Sequence, residues 1–425
     1  MIGILSISFL TLLFLGVPMA FSAGFSSLIA FILKSPLPPV IVIQKIYNQL
    51  DSFSLMAVPL FVLTGQLMTS GGITRRIINF SRIFVGKIPG SLSHVNVLTS
   101  MLFAGISGSA TADTAGVGSI LIPAMLEEGY EEDWAVGITA ASSTIGPIIP
   151  PSVLMIVYGA ITQLSIGRLF LAGLIPGILV GISLLVVGYI LAKRRRKERP
   201  AFHITPNEAW IAFQDCWPTL LTPVIIIVGI TGGVFTPTEA GVVSALYAFA
   251  LGIIYGELSV KRIIDTLWVT AKSTIIVLFI IGCAAPFGWV LTHENVPVYI
   301  VDFLTSLSSH PAMMMLFTIV IMLISGLFID GLAAMLIFVP VLFPVANQLG
   351  IDPYHFAVVI IVAIEIGGIT PPVGILLYIA CGVNNIPVRN VSPLIWVFVF
   401  ALVVVLFLVA YIPLLATFVP DLLMG

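Results

Sequence analysis

The sequence predicts an all-α polytopic membrane protein built from inverted repeats, with two re-entrant hairpins and two broken helices. Of its 425 residues, 59% are hydrophobic and only 8% are charged. The mean hydropathy of +1.18 is far outside the range of soluble domains. Residues 104–152 nevertheless place glycines, hydroxyls and a proline pair inside apolar sequence. Sliding this stretch along the chain until Gly105 falls on Gly326 also lays Pro150 on Pro371. The same interruptions therefore occur twice, as in membrane proteins with internal repeats, and we call this displacement the repeat shift.

The first ninety residues predict two spans and two helices at the membrane surface. A helix needs about 20 apolar residues to cross ~30 Å of hydrocarbon. Residues 2–33 meet this requirement, with a kink expected at 16–18, and residues 55–70 form a second span. Residues 41–53 and 72–88 carry apolar stripes opposite polar or basic faces, which favours helices lying in the interface.

A hairpin and a broken crossing are predicted next. Residues 91–104 and 111–126 are each too short to cross, and the glycine- and serine-rich tip 105–110 joins them. A membrane accepts such a re-entrant hairpin only where its tip is buried in protein or lines a wet cavity. Residues 133–162 then predict one crossing that is broken at 146–151.

The remaining chain repeats this order after a cytoplasmic connection. A span over 169–192 ends in the basic run 193–197, which the positive-inside rule places in the cytoplasm. An interfacial helix over 203–217 connects the halves. We expect the other elements in this order: spans over 219–235 and 238–255 joined by a capping turn at 236–239, a span over 266–291 with a break near 284–288, a hairpin over 311–348 with its tip near 325–330, a crossing over 354–382 broken at 367–372, and a last span over 393–417.

The orientation of the two hairpins carries the functional prediction. Counting crossings from the basic run, the first hairpin enters from the cytoplasmic side and the second from the opposite side. Symmetry of this kind lets one site face either side of the membrane and is typical of secondary transporters. The predicted division of the chain is scaffold spans with interfacial helices at 1–90, a first transport repeat at 91–165, scaffold spans with the basic loop and connector at 166–310, a second transport repeat at 311–385, and a C-terminal span at 386–425.

The two breaks predict a site for a coupling cation, and no other cofactor is expected. Interrupted helices present unpaired carbonyls, which suit a hard cation, and unpaired N–H groups, which suit an anion. Sodium is favoured over a proton because neutral oxygens dominate and no histidine stands in either break. The predicted first Na⁺ site comprises Gly105, Ser107, Ser143, Gly146 and Ile149. The repeat shift predicts a second Na⁺ site at Gly326, Gly367, Thr370 and the carbonyl of Val373.

The hairpin tips are predicted to close over the substrate. Ser109 and Thr111 would donate hydrogen bonds to it, and Asp330 would accept one or bind an ion. The other candidate substrate contacts are Ser107, Ser152 and Thr370. Small residues in membrane helices also serve close packing, and this interpretation stays open for each serine taken alone.

Three further ionisable residues have open roles. Asp113 lies at the start of the second hairpin arm, where the favoured role is to cap that half-helix. Glu365 lies just before the second break and either tunes ion affinity or pairs with a neighbour. Arg168 is expected to extend to the interface. The three cysteines have no metal-ligand spacing and are expected to be small apolar helix residues.

Several motifs resemble one transporter family. They include FAGISGSATAD at 103–113, STIGPIIPPS at 143–152 and GGITPPVG at 367–374, with AVPLFVLTGQLM at 57–68, SIGRLFLAGLIPG at 165–177 and TPTEAG at 236–241. The chain is similar over nearly its whole length to the large membrane subunit of TRAP transporters, the tripartite ATP-independent periplasmic class.

The resemblance implies a Na⁺-driven, elevator-type importer in a bacterial inner membrane. Its substrates would be carboxylate-bearing solutes, such as C4-dicarboxylates, sialic acid or related organic acids, and no residue decides among them. The implied partners are a small four-helix membrane subunit and a soluble periplasmic substrate-binding protein. The small subunit is expected to be a separate chain, because no extra helices precede residue 2. No nucleic-acid partner is expected.

Other functions remain open at the level of sequence. One is a dicarboxylate–Na⁺ symporter or ion antiporter of the same architecture that works without a binding protein. Another is an intramembrane enzyme, against which stand the lack of an HExxH pattern and the dispersed histidines. A passive channel is the third, although two opposed helix-breaking elements favour occlusion of a solute over an open pore.

Overall fold

The computed structural model describes residues 1–35, 37–195, 205–307 and 310–425, and these ranges are helical apart from turns and connections. The first ten α-helices are α1 (Ile2–Phe14), α2 (Met19–Lys34), α3 (Val40–Leu50), α4 (Ala57–Ser70), α5 (Ile73–Val85), α6 (Ser91–Ser107), α7 (Ala110–Glu127), α8 (Glu132–Ser143), α9 (Val153–Thr162) and α10 (Ile166–Arg194). The others are α11 (Pro206–Thr231), α12 (Pro237–Ile254), α13 (Val260–His293), α14 (Val296–Leu307), α15 (Pro311–Phe328), α16 (Gly331–Gln348), α17 (Pro353–Ile369), α18 (Ile375–Val383), α19 (Val388–Tyr411) and α20 (Leu414–Met424). Eight helical segments of the described ranges are long and apolar enough to cross a membrane, which confirms an all-α polytopic membrane protein.

The N-terminal segment is a helical hairpin, so the prediction of one kinked span over 2–33 is wrong. The Met1 amine lies 3.1 Å from a carboxylate oxygen of Glu294, and the ring of Phe31 stacks on Trp289 at 5.4 Å. The start of α1 and the end of α2 therefore meet at the same end of α13. The chain reverses at Gly16, whose φ of 80° favours glycine.

Two further predicted boundaries are corrected by long continuous helices. The connector predicted over 203–217 and the span predicted over 219–235 form the single helix α11, and residues 203 and 204 lie outside the described residues. α13 continues through 284–288, where a break was predicted, with Pro286 inside the helix. Proline removes one backbone hydrogen bond, and neighbouring helices in a membrane tolerate the resulting distortion without a break.

The C-terminal span predicted over 393–417 is also two helices. α19 ends at Tyr411, and α20 begins at Leu414 with Pro413 at its N-cap. Proline is favoured at the beginning of a helix, where its missing N–H would have no partner in the helix.

Both predicted hairpins consist of two helices with a very short tip. Only Gly108 and Ser109 separate α6 from α7, and only Ile329 and Asp330 separate α15 from α16. These tips are narrower than those predicted over 105–110 and 325–330. Gly108 turns the chain with a φ of 61°, a conformation that side chains with a Cβ rarely adopt.

Both predicted broken crossings are interrupted, at residues 144–152 between α8 and α9 and at 370–374 between α17 and α18. Each break docks on a hairpin tip through one backbone bond. The N–H of Val153 donates to the Gly108 carbonyl at 3.2 Å, and that of Gly374 donates to the Leu327 carbonyl at 3.1 Å. The starts of α7 and α16 coincide under the repeat shift.

The helices pack in two groups. In one group α4 contacts α12 and α13, with hydroxyl hydrogen bonds between Thr64 and Ser244 at 3.1 Å and between Ser70 and Thr266 at 2.9 Å. In the other group α10 packs on α6, α19 and α20, and α19 packs on α8 and α17. The hairpins and the broken helices connect these groups.

The basic end of α10 marks one face of the molecule. Arg195, which follows α10, pairs with Glu131 and Asp133 at the start of α8. Next to them, Glu132 accepts a hydrogen bond from Asn390 of α19 at 2.9 Å. The starts of α8 and α19 and the end of α10 therefore lie at the same face. Residues 196 and 197 of the predicted basic run lie outside the described residues.

Candidate functional site

A cavity of about 490 Å³ lies where both hairpin tips meet both broken helices. We call it the main cavity. Its wall includes residues 107–112 and 329–332 from the tips and parts of 147–154 and 364–376 from the breaks. α4 contributes Gln66, and α13 contributes a stripe that begins at Ser273. The cavity therefore places four interrupted segments against two continuous helices.

The main cavity is acidic. Asp330 and Glu365 line it, and its described wall holds no Lys, Arg or His. Asp330 is exposed, whereas Glu365 is only 6% exposed. Glu365 lies beside the second hairpin tip, since a Cβ on Gly331 would lie 3.1 Å from its Oε1. Carboxylates at membrane depth are costly unless a cation or proton neutralises them.

Asp113 lies in the first turn of α7, directly after the first hairpin tip. The hydroxyl of Ser107 donates to Asp113 Oδ1, while the buried Oδ2 has no hydrogen-bond partner. A Cβ atom placed on Gly146 would lie 2.6 Å from this Oδ2. The predicted capping role of Asp113 is wrong, because the cap of α7 is Ser109, whose hydroxyl accepts from the Ala112 N–H. Asp113 already lies inside the helix, beyond the position from which a side chain caps it.

The structure assembles part of the predicted first Na⁺ site around Asp113. Ser107 and Gly146 contact its two oxygens, as described above. The Ser143 hydroxyl accepts a hydrogen bond from the hydroxyl of Thr114, the residue after Asp113, at 2.7 Å. A Cβ on Gly105 would meet Pro223 at 3.0 Å and the Pro150 carbonyl at 3.8 Å. The side chain of Ile149 packs against Gly177 in α10.

The predicted second Na⁺ site also forms a contiguous group. Gly326 and Gly367 touch backbone to backbone, since a Cβ on Gly367 would lie 2.7 Å from the Cα of Gly326. The N–H of Thr370 donates to the Gly367 carbonyl at 3.0 Å, and its hydroxyl donates to Ile366 at 2.6 Å. Val373 precedes Gly374, whose N–H reaches the second hairpin tip.

Four of the six predicted substrate residues line the main cavity, namely Ser107, Ser109, Thr111 and Asp330. The hydroxyls of Ser109 and Thr111 are 3.0 Å apart. Ser152 and Thr370 lie outside the cavity wall. Ser152 is fully buried, and its hydroxyl caps α9 by accepting from the Met155 N–H at 3.2 Å.

Sequence reasoning missed the polar residues that the continuous helices contribute to the cavity. Gln66 of α4 and Ser273 of α13 both line it. Each is a polar residue inside a predicted span, and that position was the available signal. Glu365 was singled out, and the structure places it in the cavity wall.

The residues present fit a Na⁺ ion. Oδ2 of Asp113 is buried without a hydrogen-bond partner and lies beside Gly146 at the first break, and hard cations prefer oxygen ligands. Within the described ranges, no group of three or more His, Cys, Asp or Glu side chains could hold a metal ion. A cation here would therefore be held by carbonyls, hydroxyls and single carboxylates.

Four interrupted segments surround one cavity that carries two carboxylates in this polytopic helical protein, an arrangement typical of membrane transporters. Two solved transporter structures have this fold. The YdaH transporter of Alcanivorax borkumensis matches with a TM-score of 0.61 over 87% of this chain and 86% of that chain, at 15% identity. MtrF of Neisseria gonorrhoeae matches with a TM-score of 0.60 over 90% of this chain and 83% of that chain, at 14% identity.

Residues 6–415 match the family described as the tripartite ATP-independent periplasmic transporter, DctM component. The chain belongs to this family, as its motifs predicted. It is 42% identical over 98% of its length and 97% of the relative to the sialic acid TRAP transporter large permease protein SiaM of Vibrio cholerae. It is 40% identical over 94% of both chains to the C4-dicarboxylate TRAP transporter large permease protein DctM of Pseudomonas aeruginosa. These relatives are permeases, and the family gives no support to an intramembrane enzyme.

Proposed function

We propose that this large permease carries a carboxylate-bearing organic acid into the cell, driven by a Na⁺ gradient. The observation that carries the proposal is the main cavity, which joins both hairpin tips, both breaks and the carboxylates Asp330 and Glu365 in one space. An acidic wall repels an anionic solute. The solute would therefore bind only after cations have neutralised the wall, which couples the two binding events.

The proposed Na⁺ sites are the two predicted groups, with Asp113 added to the first. An ion bound to Asp113 Oδ2 would give this buried carboxylate oxygen the partner that it otherwise lacks. Neutral oxygens from the tips and breaks would supply the remaining ligands. The second group, around Gly326 and Gly367, offers backbone carbonyls and the Thr370 hydroxyl.

Inverted repeats would allow this site to face either side of the membrane. Gly90, just before α6, packs against Ala192 near the basic end of α10. Ala312, at the start of α15, accepts a hydrogen bond from Tyr411 at the far end of α19, at 3.3 Å. These contacts support hairpins that enter from opposite faces, with the basic face in the cytoplasm.

An elevator motion would move one helix group past the other. The proposed moving unit holds the hairpins α6–α7 and α15–α16 and the broken helices α8–α9 and α17–α18. It also holds α10, α19 and α20, because α10 packs on α6, α19 and α20. This proposal places residues 166–194 and 388–424 in the moving unit, unlike the division predicted from sequence. The frame would hold α4, α12 and α13.

Membership in a tripartite periplasmic family implies two further components, a small membrane subunit and a periplasmic binding protein. We propose that the small subunit is a separate four-helix chain and that the complex lies in a bacterial inner membrane. Sialic acid and C4-dicarboxylates are the leading substrate classes, because the names of two relatives state them.

Reconstitution in liposomes tests the proposal. The permease and the small subunit would be incorporated together and the soluble binding protein added outside, and uptake of labelled N-acetylneuraminic acid and succinate would be measured with and without an inward Na⁺ gradient. We expect uptake of one of these acids that requires Na⁺. Uptake that is equal without Na⁺ contradicts the coupling, and uptake without the binding protein favours the binding-protein-independent symporter.

Two glycine variants locate the ion in the same experiment. Gly146→Ala adds a Cβ 2.6 Å from Asp113 Oδ2, and we expect the Na⁺ concentration for half-maximal uptake to rise about tenfold or more, the cost of losing roughly one good polar contact. Gly382→Ala is the control, because a Cβ there meets no atom within 4 Å. An unchanged Na⁺ dependence for Gly146→Ala removes this group from the proposed ion site.

A further inference from the structure

A second cavity, of about 430 Å³, lies between α3, α13 and α16. We call it the outer cavity. α3 contributes Lys45, Asn48 and Gln49 to its wall, and α13 contributes Trp289 and Thr292. The sequence predicted α3 as a helix lying in the membrane interface. In the structure its polar residues Lys45, Asn48 and Gln49 border a cavity that α13 also lines.

The outer cavity continues the main cavity along one helix. Residues of α13 between 273 and 280 line the main cavity, and those between 281 and 292 line the outer one. At 1.5 Å per residue, the centres of these two stretches are about 15 Å apart. The outer cavity lies toward His293, the end of α13 farthest from the basic Lys261 and Arg262 at its start. It therefore stands between the main cavity and the face opposite the basic one.

The charge of the outer cavity is opposite to that of the main cavity. Lys45 is half-buried, and its Nζ lies 5.2 Å from the centre of the Trp289 ring. Within the described ranges it forms no salt bridge, and the described wall of the outer cavity contains no Asp or Glu. Asn48 and Gln49 add amide hydrogen-bond donors beside it. A lysine with adjacent amides suits an anionic oxygen ligand.

We propose that the outer cavity is a capture site in which Lys45 binds the carboxylate of the incoming organic acid before it moves to the main cavity. This inference rests on the proposed function, because it takes the transported solute to be an organic acid. The solute would meet a cationic site first and then an acidic site that requires cations. The order explains how an anion is attracted to a route whose deepest part is acidic.

Uptake kinetics of charge variants test the capture site in the reconstituted complex. The acid that shows Na⁺-dependent uptake in the wild type serves as the probe. We expect Lys45→Gln to raise its apparent KM about tenfold, the effect of losing one hydrogen bond to a charged group, with a smaller change in kcat. Lys45→Arg should restore most of the affinity, because arginine also binds carboxylates.

The matched control is Lys34→Gln. Lys34 is an exposed lysine at the end of α2, at the same face of the molecule, and it lies outside the outer cavity. We expect the KM of the Lys34→Gln variant to equal that of the wild type. An equal rise of KM in both variants would mean that overall surface charge is responsible and would overturn the capture site. An unchanged KM in Lys45→Gln, with Na⁺-dependent uptake intact, overturns the capture site alone, whereas loss of Na⁺-dependent uptake in the wild type overturns the proposed function.

A lipid phosphate is the competing anion, and the liposome composition distinguishes it. The measurements would be repeated in vesicles of phosphatidylcholine alone and in vesicles with phosphatidylglycerol. A solute site predicts the same KM change in both. A Lys45→Gln effect that occurs only with the anionic lipid, and that changes kcat rather than KM, assigns Lys45 to lipid and contradicts the proposal.

Discussion

Asp330 combines two tasks at the scale of the single residue. Its carboxylate accepts from the Leu332 N–H at 3.1 Å and caps α16, and the same side chain lines the main cavity. Ser109, its counterpart under the repeat shift, caps α7 in the same way. A hydroxyl would satisfy the helix end equally well. The negative charge at this one tip therefore requires another explanation, and the cavity supplies it.

Two substitutions separate the tasks of Asp330. Asp330→Asn keeps a good capping side chain and removes the charge, so we expect normal thermal stability and loss of most uptake. Asp330→Ala should lose uptake and also about 1 kcal/mol of stability, the usual cost of a lost cap. Thermal unfolding in detergent and liposome uptake are the two measurements.

The control for Asp330 is Asp352→Ala. Asp352 caps α17 through the N–H groups of Tyr354 and His355, and it lies outside the main cavity. We expect it to reduce stability by the same amount while uptake continues. Wild-type uptake in Asp330→Asn would show that Asp330 is only a cap.

The decisive feature at the scale of the element is the docking of each hairpin tip on a helix break. One backbone hydrogen bond joins each pair, at Val153 and at Gly374. Around the first of these bonds the chain is tightly packed, since a Cβ on Gly108 would lie 2.3 Å from the Pro151 carbonyl oxygen. Position 108 of the tip therefore has no room for any residue but glycine.

Gly108→Ala tests this docking. Its left-handed φ and the contact with Pro151 both oppose a Cβ, so we expect a loss of thermal stability above about 2 kcal/mol and no uptake. Gly116→Ala, in the middle of α7, adds a Cβ whose nearest neighbour is 3.9 Å away, and it should behave as wild type. Similar unfolding temperatures for the two variants would show that the tip is not rigidly docked.

Sequence reasoning predicted some of these elements and missed others, and the difference has a physical reason. The hairpins and broken helices were found because glycine, proline and hydroxyl residues interrupt otherwise apolar runs, and the same interruptions occur twice. The N-terminal hairpin was missed because a turn at Gly16 and a kink at Pro18 have the same sequence pattern. Only the contacts of α1 and α2 with α13 distinguish them. The break predicted in α13 was wrong because tertiary packing overrides the preference of Pro286 and its neighbours.

The residues of the candidate site were also predicted only in part. The hydroxyls and glycines of the tips were predicted, because a repeated motif marks them. Ser152 was misplaced, since sequence spacing does not reveal that its hydroxyl turns back to cap α9. Gln66 was missed because it comes from a helix with no repeated motif.

At the scale of the whole molecule, two helix groups meet along α13. α13 packs on α4, α3 and α2 on one side and on α16 of the second hairpin on the other. If transport requires the groups to slide, a covalent link across this boundary must stop it, while a link within one group must not. Two pairs of positions offer near-ideal geometry for this comparison.

A disulfide between Gly288→Cys and Pro340→Cys would join α13 to α16. A Cβ on Gly288 lies 3.4 Å from that of Pro340, close to the Cβ separation in a disulfide of about 3.5–4.5 Å. We expect oxidation to stop uptake and reduction to restore it. The pair is best made with Cys283→Ala, which removes the nearest native thiol in α13.

The control disulfide uses Gly24→Cys with the native Cys283. It would join α2 to α13 with a Cβ separation of 3.6 Å, and Cys283 is a free thiol. We place α2 in the frame with α13, on which it packs, so uptake should continue after oxidation. Full activity of the oxidised 288–340 pair would contradict relative motion of α13 and α16.

The unbroken course of α13 has one more consequence. Its 34 residues extend about 51 Å at the usual helical rise, and the stretch from Ser273 to Thr292, about 28 Å of it, borders both cavities in turn. A solute passing through both would stay beside this one helix for the whole route. Cysteines placed one at a time along that helix and probed with soluble thiol reagents would act as a ruler, and the positions that bound solute shields would give its depth at each stage of the cycle.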